Sequence, residues 1–189
     1  MTKHNPKTHH RRSIRLKEYD YSQEGFYFIT ICTHNHVCLF GKISDNKMVL
    51  NNAGKIAKEF WLDIPEHYPN TRLHEYVVMP NHVHGIIQIV NDVGVGVQDF
   101  EPLQQPKQNK YQKTIPRSIG SMVRGFKIGV TKWFRKNVRV QDFEPIPSVW
   151  QRNYYEHIIR NEQSYYKISE YIIKNPSHWL TDKYYEQDF

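Results

Sequence analysis

The sequence predicts an α+β protein in which helices pack on an antiparallel sheet, an arrangement of ferredoxin-like kind. Two observations carry that expectation. Short β-branched and aromatic runs occur as neighbours separated by turn residues, and between them lie segments whose apolar residues recur at helical spacing. Read in order, the elements run β-β-α-β-β-α-β-α.

Gly25 opens Phe26 to Cys32, a run apolar enough to be a strand buried on both faces. After His34-Asn35-His36, Val37 to Ile43 is expected to return as its hairpin partner. Met48 to Trp61 shows helical spacing through Leu50, Ile56, Ala57, Phe60 and Trp61, closed by Pro65 and Pro69. Leu73 to Met79 and His82 to Val90 read as a second hairpin about Pro80-Asn81. Ser118 to Asn137 is a basic amphipathic helix, with Ile119, Met122, Val123, Phe126, Val130, Trp133 and Phe134 facing inward. Trp150 to Ile159 is expected to be a strand, and Asn161 a cap for a last helix from Glu162 to about Asn175, stopped by Pro176.

The domain organisation follows from what lacks such patterning. Residues 1–22 carry charge without apolar periodicity and are expected to be a flexible basic arm; 23–180 form one domain, and 181–189 a tail. Asn91 to Pro116 is rich in Gly, Gln, Pro and Lys and reads as an insertion. It contains Val97-Gln98-Asp99-Phe100-Glu101-Pro102, repeated as Val140 to Pro145, and nothing else recurs with that period of 43.

With 189 residues, 39% of them hydrophobic, the chain has enough material for one core without disulfide staples, which argues against a disordered or disulfide-built protein. No apolar window approaches the roughly 18 residues of a membrane span, and the basic, polar N-terminus is unlike a signal peptide, so the expected location is the cytoplasm. The two cysteines, Cys32 and Cys38, fit reduced strand residues. Charge is more informative. Against 19 acids there are 26 Lys and Arg, and from Leu103 to Arg139 ten basic residues occur with no acid. That stretch suits a polyanionic partner, and thirteen tyrosines suit stacking on bases. Candidate backbone-gripping residues are Arg11, Arg12 and Arg15 in the arm and Arg124, Lys127, Lys132 and Arg135 on the basic helix.

His82-Val83-His84 projects two imidazoles from one strand face, within reach of one divalent cation. Eleven histidines in a chain of this length produce about 0.6 such pairs by chance, so a hydrogen-bonded core pair is the competing reading. His34 and His36, flanked by Cys32 and Cys38, lie in a turn and are assigned to structure. On the last helix Tyr171 and Asn175 share a face at i and i+4, with Lys167 and Lys174 nearby. A tyrosine hydroxyl ionises near 10 and needs a neighbouring cation to attack phosphorus.

Several separated segments resemble one family. Glu75-Tyr-Val-Val-Met-Pro-Asn-His-Val-His-Gly-Ile-Ile87 is similar to the His-hydrophobic-His (HUH) motif of the single-tyrosine transposases, specifically the REP-associated tyrosine transposases. Val149 to Glu162 and Tyr171-Ile-Ile-Lys-Asn-Pro176 resemble its C-terminal signature, while Arg11 to Leu16 and Tyr27 to Thr33 also fit. The resemblance spans nearly all the chain outside 91–116. It implies an HUH endonuclease fold, His82, His84 and Asn175 as ligands of Mg²⁺ or Mn²⁺, and Tyr171 as nucleophile, with Tyr154, Tyr155, Tyr165 and Tyr166 as competitors for that role. It further implies a single-stranded DNA nicking and rejoining enzyme that works on hairpin-forming repeats near the nucleoid, as monomer or homodimer, through a 5′-phosphotyrosine link. Lys167 and Lys174 join the DNA-binding set. A non-cleaving hairpin-binding protein with the same fold is the alternative.

Overall fold

The computed structural model describes residues 19–90, 115–137 and 148–185. Four strands form one antiparallel sheet in the order β4-β5-β1-β6, built from β1 (Gly25–Cys32), β4 (Thr71–Val78), β5 (His82–Ile89) and β6 (Tyr155–Ile159). β1 and β5 lie in the middle and are buried along most of their length. Alternation along them divides the sheet into two faces. Tyr27, Ile29, Ile31, Val83 and Ile87 point into the larger core, where α1 (Asn52–Leu62) contributes Ala57 and Trp61 and α3 (Ile119–Asn137) contributes Met122, Phe126 and Val130. Phe28 and Ile86 point the other way and meet Ile172 of α4 (Glu162–Lys174). The α+β class and the packing of helices on an antiparallel sheet are therefore as the sequence predicts.

Gly85 is required by the larger core. The indole of Trp61 packs against it, so a Cβ there would fall 2.3 Å from Trp61 Cζ2.

Four local expectations change. Val37 to Phe40 is loop, and β2 (Gly41–Ser44) pairs with β3 (Lys47–Leu50) in a separate hairpin rather than with β1. Asp45 and Asn46 both take positive φ, which the two-residue turn between right-twisted strands demands. Met48 to Leu50 therefore belongs to β3, and the helix starts only at Asn52, with Asn51 Oδ1 accepting from Gly54 N–H at 2.9 Å. Trp150 is not part of a continuous strand to Ile159 but forms a single bridge with Thr33. The last α-helix ends at Lys174, beside the expected Asn175, but Pro176 does not stop the helical path: Asn175 keeps right-handed helical φ and ψ, and a 3₁₀ helix continues over Asn175–Thr181. Proline fits there because the first turn needs no N–H from it.

Of the expected arm, Tyr19 to Ser22 is described, and Tyr21 is buried in the core, with its carbonyl accepting from Ile119 N–H at 3.1 Å. Arg11, Arg12 and Arg15 lie outside the described residues, as do both copies of the Val-Gln-Asp-Phe-Glu-Pro segment. Asn161 caps α4 as expected, accepting from Ser164 N–H at 2.8 Å.

β4 carries one irregularity. Leu73 pairs with Ile87 and Tyr76 with Gly85, so one extra residue sits on β4 between them. This β-bulge keeps Leu73 and Tyr76 on the large-core side although they are three apart, and directs both His74 and Glu75 toward α4.

Replacing Gly85 by Ala is expected to destabilise the fold by about 1–3 kcal/mol, since strand and indole cannot both keep their places. The shift in urea midpoint at constant m-value measures it.

Candidate metal and tyrosine site

His82 and His84 are both fully buried on the α4 face of β5. Burial keeps them uncharged there, and neighbouring polar groups orient the rings. His82 Nδ1 lies 2.8 Å from Asn81 Oδ1, and the Asn81 amide is itself fixed, because its Nδ2 donates to the carbonyls of His36 at 3.0 Å and Tyr184 at 2.7 Å. An amide oxygen only accepts, so His82 Nδ1 carries the proton and Nε2 offers a lone pair. That Nε2 is buried without a hydrogen-bond partner. His84 Nδ1 is held 2.8 Å from Thr30 Oγ1 on the neighbouring strand, and its Nε2 faces the Tyr171 hydroxyl at 3.2 Å. Burial pushes His82 down to about 4 against the opposing pull of the Asp182 carboxylate. Burial and the neighbouring His82 hold His84 well below its ordinary value.

The other wall comes from α4 and the chain that follows it. Tyr171 and Asn175 lie on one flank of α4, as their i, i+4 spacing predicts. The 3₁₀ helix then turns the chain back so that Asp182 enters between them. Asp182 Oδ2 accepts from Asn175 Nδ2 at 2.7 Å and from the Tyr171 hydroxyl at 3.3 Å, and its Oδ1 accepts from Tyr184 N–H at 2.8 Å. Tyr184 packs against both imidazoles, with ring centroids 4.7 Å from His82 and 5.8 Å from His84, and stacks on His36 at 5.6 Å. Lys183 Nζ sits 4.7 Å above the Tyr184 ring.

One ligand atom each from His82, His84 and Asp182 lie within 4.8 Å of one another. Asn175 Oδ1 is also buried without a hydrogen-bond partner. Two buried acceptor atoms without donors, beside a carboxylate, are what a cation would satisfy, and the imidazoles' other nitrogens are already oriented as metal ligands require. A mixed nitrogen and oxygen set of this kind suits a divalent ion.

The expectation of a plain tail after residue 180 therefore does not hold for 181–185, and Asp182 is the site residue the sequence reading missed. A signal existed, since Asp182 is the sole acid between Glu170 and Glu186. The lysine expectation also changes. Lys167 and Lys174 are exposed on α4, and Lys174 pairs with Glu170 one turn back. Rather than being lowered by lysines, the Tyr171 hydroxyl is held well above its usual range, first by burial and then by the Asp182 carboxylate. Of the competing tyrosines, Tyr165 bonds His74 and Glu75 and Tyr166 bonds Glu162, so neither faces the imidazole pair.

On the far face, Arg124, Lys132 and Arg135 are exposed along α3 and, with Arg152 and Tyr154, line a groove of about 490 Å³. Lys127 is different: its ammonium donates to the carbonyls of Gln151 and Asn153, both at 2.8 Å, and burial lowers it to about 8. It braces the 151–153 loop against α3. His36, in a 3₁₀ turn, bonds Gln151, as expected for a structural residue. Cys32 is buried and Cys38 exposed, and they form no disulfide.

The four-stranded antiparallel sheet, with helices packed on it and a His-Val-His strand set opposite a helical tyrosine, is a transposase-like fold. Among solved structures, a REP-associated tyrosine transposase bound to a REP hairpin shares it with a TM-score of 0.52 at 18% identity, over 92% of this chain and 78% of that one. A structure described as a candidate transposase from Deinococcus radiodurans R1 aligns with a TM-score of 0.46 at 15% identity, over 87% and 98% of the two chains. In sequence, a Haemophilus influenzae Rd protein described as uncharacterized is 52% identical over 184 residues, which cover 97% of this chain and 98% of that protein. The chain belongs to the family of that Haemophilus protein. No family model matches it.

Two measurements check the site. Between pH 6.5 and 4 the unfolded chain binds a proton at His82 that the folded chain refuses, so stability falls on acidification. The drop in Tm from pH 7 to pH 4.5 is expected to be smaller in His82→Gln. Millimolar Mn²⁺ is expected to raise Tm of the wild type by several degrees, an effect lost in His84→Ala and weakened in Asp182→Asn.

Proposed function

We propose that this chain is a metal-dependent single-stranded DNA endonuclease and strand transferase, a transposase that cuts at hairpin-forming repeats through a 5′-phosphotyrosine intermediate. The observation that carries the reading is the meeting of the Tyr171 hydroxyl with His84 Nε2 at 3.2 Å, beside the orphaned His82 Nε2. A nucleophile on a helix and a ligand set on a strand, 87 residues apart in sequence, converge on one half-exposed point.

Tyr171 forms an O–P bond with the scissile phosphate while the bond from phosphorus to the 3′ oxygen breaks, leaving the 5′ phosphate on the tyrosine and a free 3′-hydroxyl. The Asp182 carboxylate, 3.3 Å from the phenol, is placed to accept the departing proton, and the released 3′ oxygen takes one up. Because the phosphoryl bond is kept on the enzyme, rejoining needs no external energy source. His82, His84 and Asp182, with Asn175 Oδ1 alongside, would hold Mg²⁺ or Mn²⁺. When bound, that ion supplies Lewis acidity toward the phosphate and leaving oxygens.

Arg124, Lys132 and Arg135, together with Arg11, Arg12 and Arg15, supply the phosphate-neutralising charge, and unpaired bases are read by stacking. Lys167 and Lys174 lie on the helix that carries the nucleophile and would meet the strand as it enters. The hairpin substrate is inferred from the fold neighbour, which was solved with a REP hairpin. Such a substrate places the protein on the nucleoid, in the cytoplasm.

The test is a denaturing gel of labelled single-stranded hairpins carrying the host's palindromic repeats, with Mn²⁺, Mg²⁺ or EDTA. The wild type is expected to form a covalent protein–DNA adduct with metal only, and Tyr171→Phe to lose it by roughly 10³-fold or more. If both proteins shift the hairpin equally and neither cuts, the chain is a hairpin-binding protein that keeps the fold without the chemistry.

A further inference from the structure

α4 rests on the sheet through Ile168 and Ile172, an apolar stripe that presses on Phe28 and Ile86. Dispersion and apolar burial hold a helix down without fixing how far it is rolled about its own axis, because neither is directional. At 100° per residue, Tyr171 and Asn175 lie on one flank of that stripe and Tyr165 and Ser169 on the other. The second flank is where direction is imposed. Glu75 Oε2 accepts from the Tyr165 hydroxyl at 3.0 Å and from the Ser169 hydroxyl at 3.0 Å, and His74 Nδ1 bonds the same Tyr165 hydroxyl at 3.0 Å while its Nε2 is tied to Gln88 at 3.0 Å. Phe26 closes the cluster, edge-on to both His74 and Tyr165. Ser169 is buried, and its bond to Glu75 satisfies its hydroxyl there.

Two consecutive residues of an ordinary strand point to opposite faces, so His74 and Glu75 could not both reach α4 without the β-bulge between Leu73 and Tyr76. The bulge thus has a job that strand pairing alone does not explain. We infer that Glu75 is a positioning residue for the tyrosine chemistry: the bulge presents its carboxylate to Tyr165 and Ser169, this bond pair sets the roll of α4, and the roll sets where the Tyr171 hydroxyl stands relative to His84. The inference rests on Tyr171 being the nucleophile. A tyrosine hydroxyl stands roughly 9 Å from its helix axis, so a roll of only about 10° moves it by ~1.5 Å. A displacement of about 1 Å is enough to cost on the order of 10²-fold in rate.

The experiment compares Glu75→Ala with Glu75→Gln, whose amide oxygen still accepts both hydroxyls. Each is made in protein carrying 3-fluorotyrosine at position 171, and Mn²⁺-induced stabilisation and hairpin affinity serve as checks that fold and ligand site persist. In Glu75→Ala the ¹⁹F resonance of residue 171 is expected to move or broaden, and the single-turnover rate of adduct formation to fall by about 10- to 100-fold with hairpin affinity within about twofold of wild type. Glu75→Gln is expected to restore both. An unmoved resonance in Glu75→Ala overturns the inference, as does a loss that Glu75→Gln fails to rescue. If wild-type protein forms no adduct on any hairpin, the nucleophile reading falls, and the ¹⁹F arm still decides whether Glu75 sets the place of residue 171.

Discussion

The pairing of β1 with β5 at the middle of the sheet is the constraint on which the site depends. In that register Thr30 stands opposite His84 and Cys32 opposite His82, so both imidazoles open onto the α4 face. A slip by one residue would send the two histidines into the core beneath Trp61 and bring Val83 to the site, because side chains alternate with a period of two. The same pairing places Thr30 Oγ1 where it can bind His84 Nδ1. Register, ring orientation and the availability of Nε2 are thus consequences of one ladder of backbone hydrogen bonds, buried on both sides and therefore intolerant of slippage.

Burying two imidazoles side by side is costly, and their surroundings determine the form in which they persist. Within the apolar sheet they stay neutral, each with one nitrogen satisfied by a neighbour and the other aimed at the same small volume. Neutral, oriented imidazoles are what a metal ligand must be, so the desolvation that depresses their proton affinity also prepares them for a cation. Asp182 supplies the negative charge that the two histidines lack, while raising the Tyr171 hydroxyl above its usual range. In this arrangement the tyrosine hydroxyl is held in its protonated form.

α4 meets the sheet in three parallel lines of contact. Along the middle, Ile168 and Ile172 give adhesion; along one flank, Tyr171 and Asn175 reach the imidazoles and Asp182; along the other, Tyr165 and Ser169 grip Glu75. The apolar line contributes most of the burial and the polar lines contribute direction. The two covalent neighbours of the helix add to this: Asn161 caps the Ser164 N–H of its first turn, and the 3₁₀ segment past Lys174 carries the chain back to deliver Asp182 and Tyr184.

Much of this was legible in the residues themselves. The alternation of His82 and His84 on one strand, the shared face of Tyr171 and Asn175 at i and i+4, the cap at Asn161 and the inward stripe of α3 follow from the two periodicities of backbone geometry, which act over a few residues and need no partner. The α+β class follows from the order of those periods. What only the tertiary structure decided are the contacts between segments that local pattern cannot join. Asp182 reaches the imidazoles because Asn175 stays helical before Pro176 and the 3₁₀ turn doubles back. Asn81 orients His82 because two distant carbonyls hold its amide. Glu75 faces α4 because one extra residue sits in β4. Each of these depends on how chain segments far apart in sequence close on one another, a choice made by the packing of the whole molecule rather than by any short stretch of it.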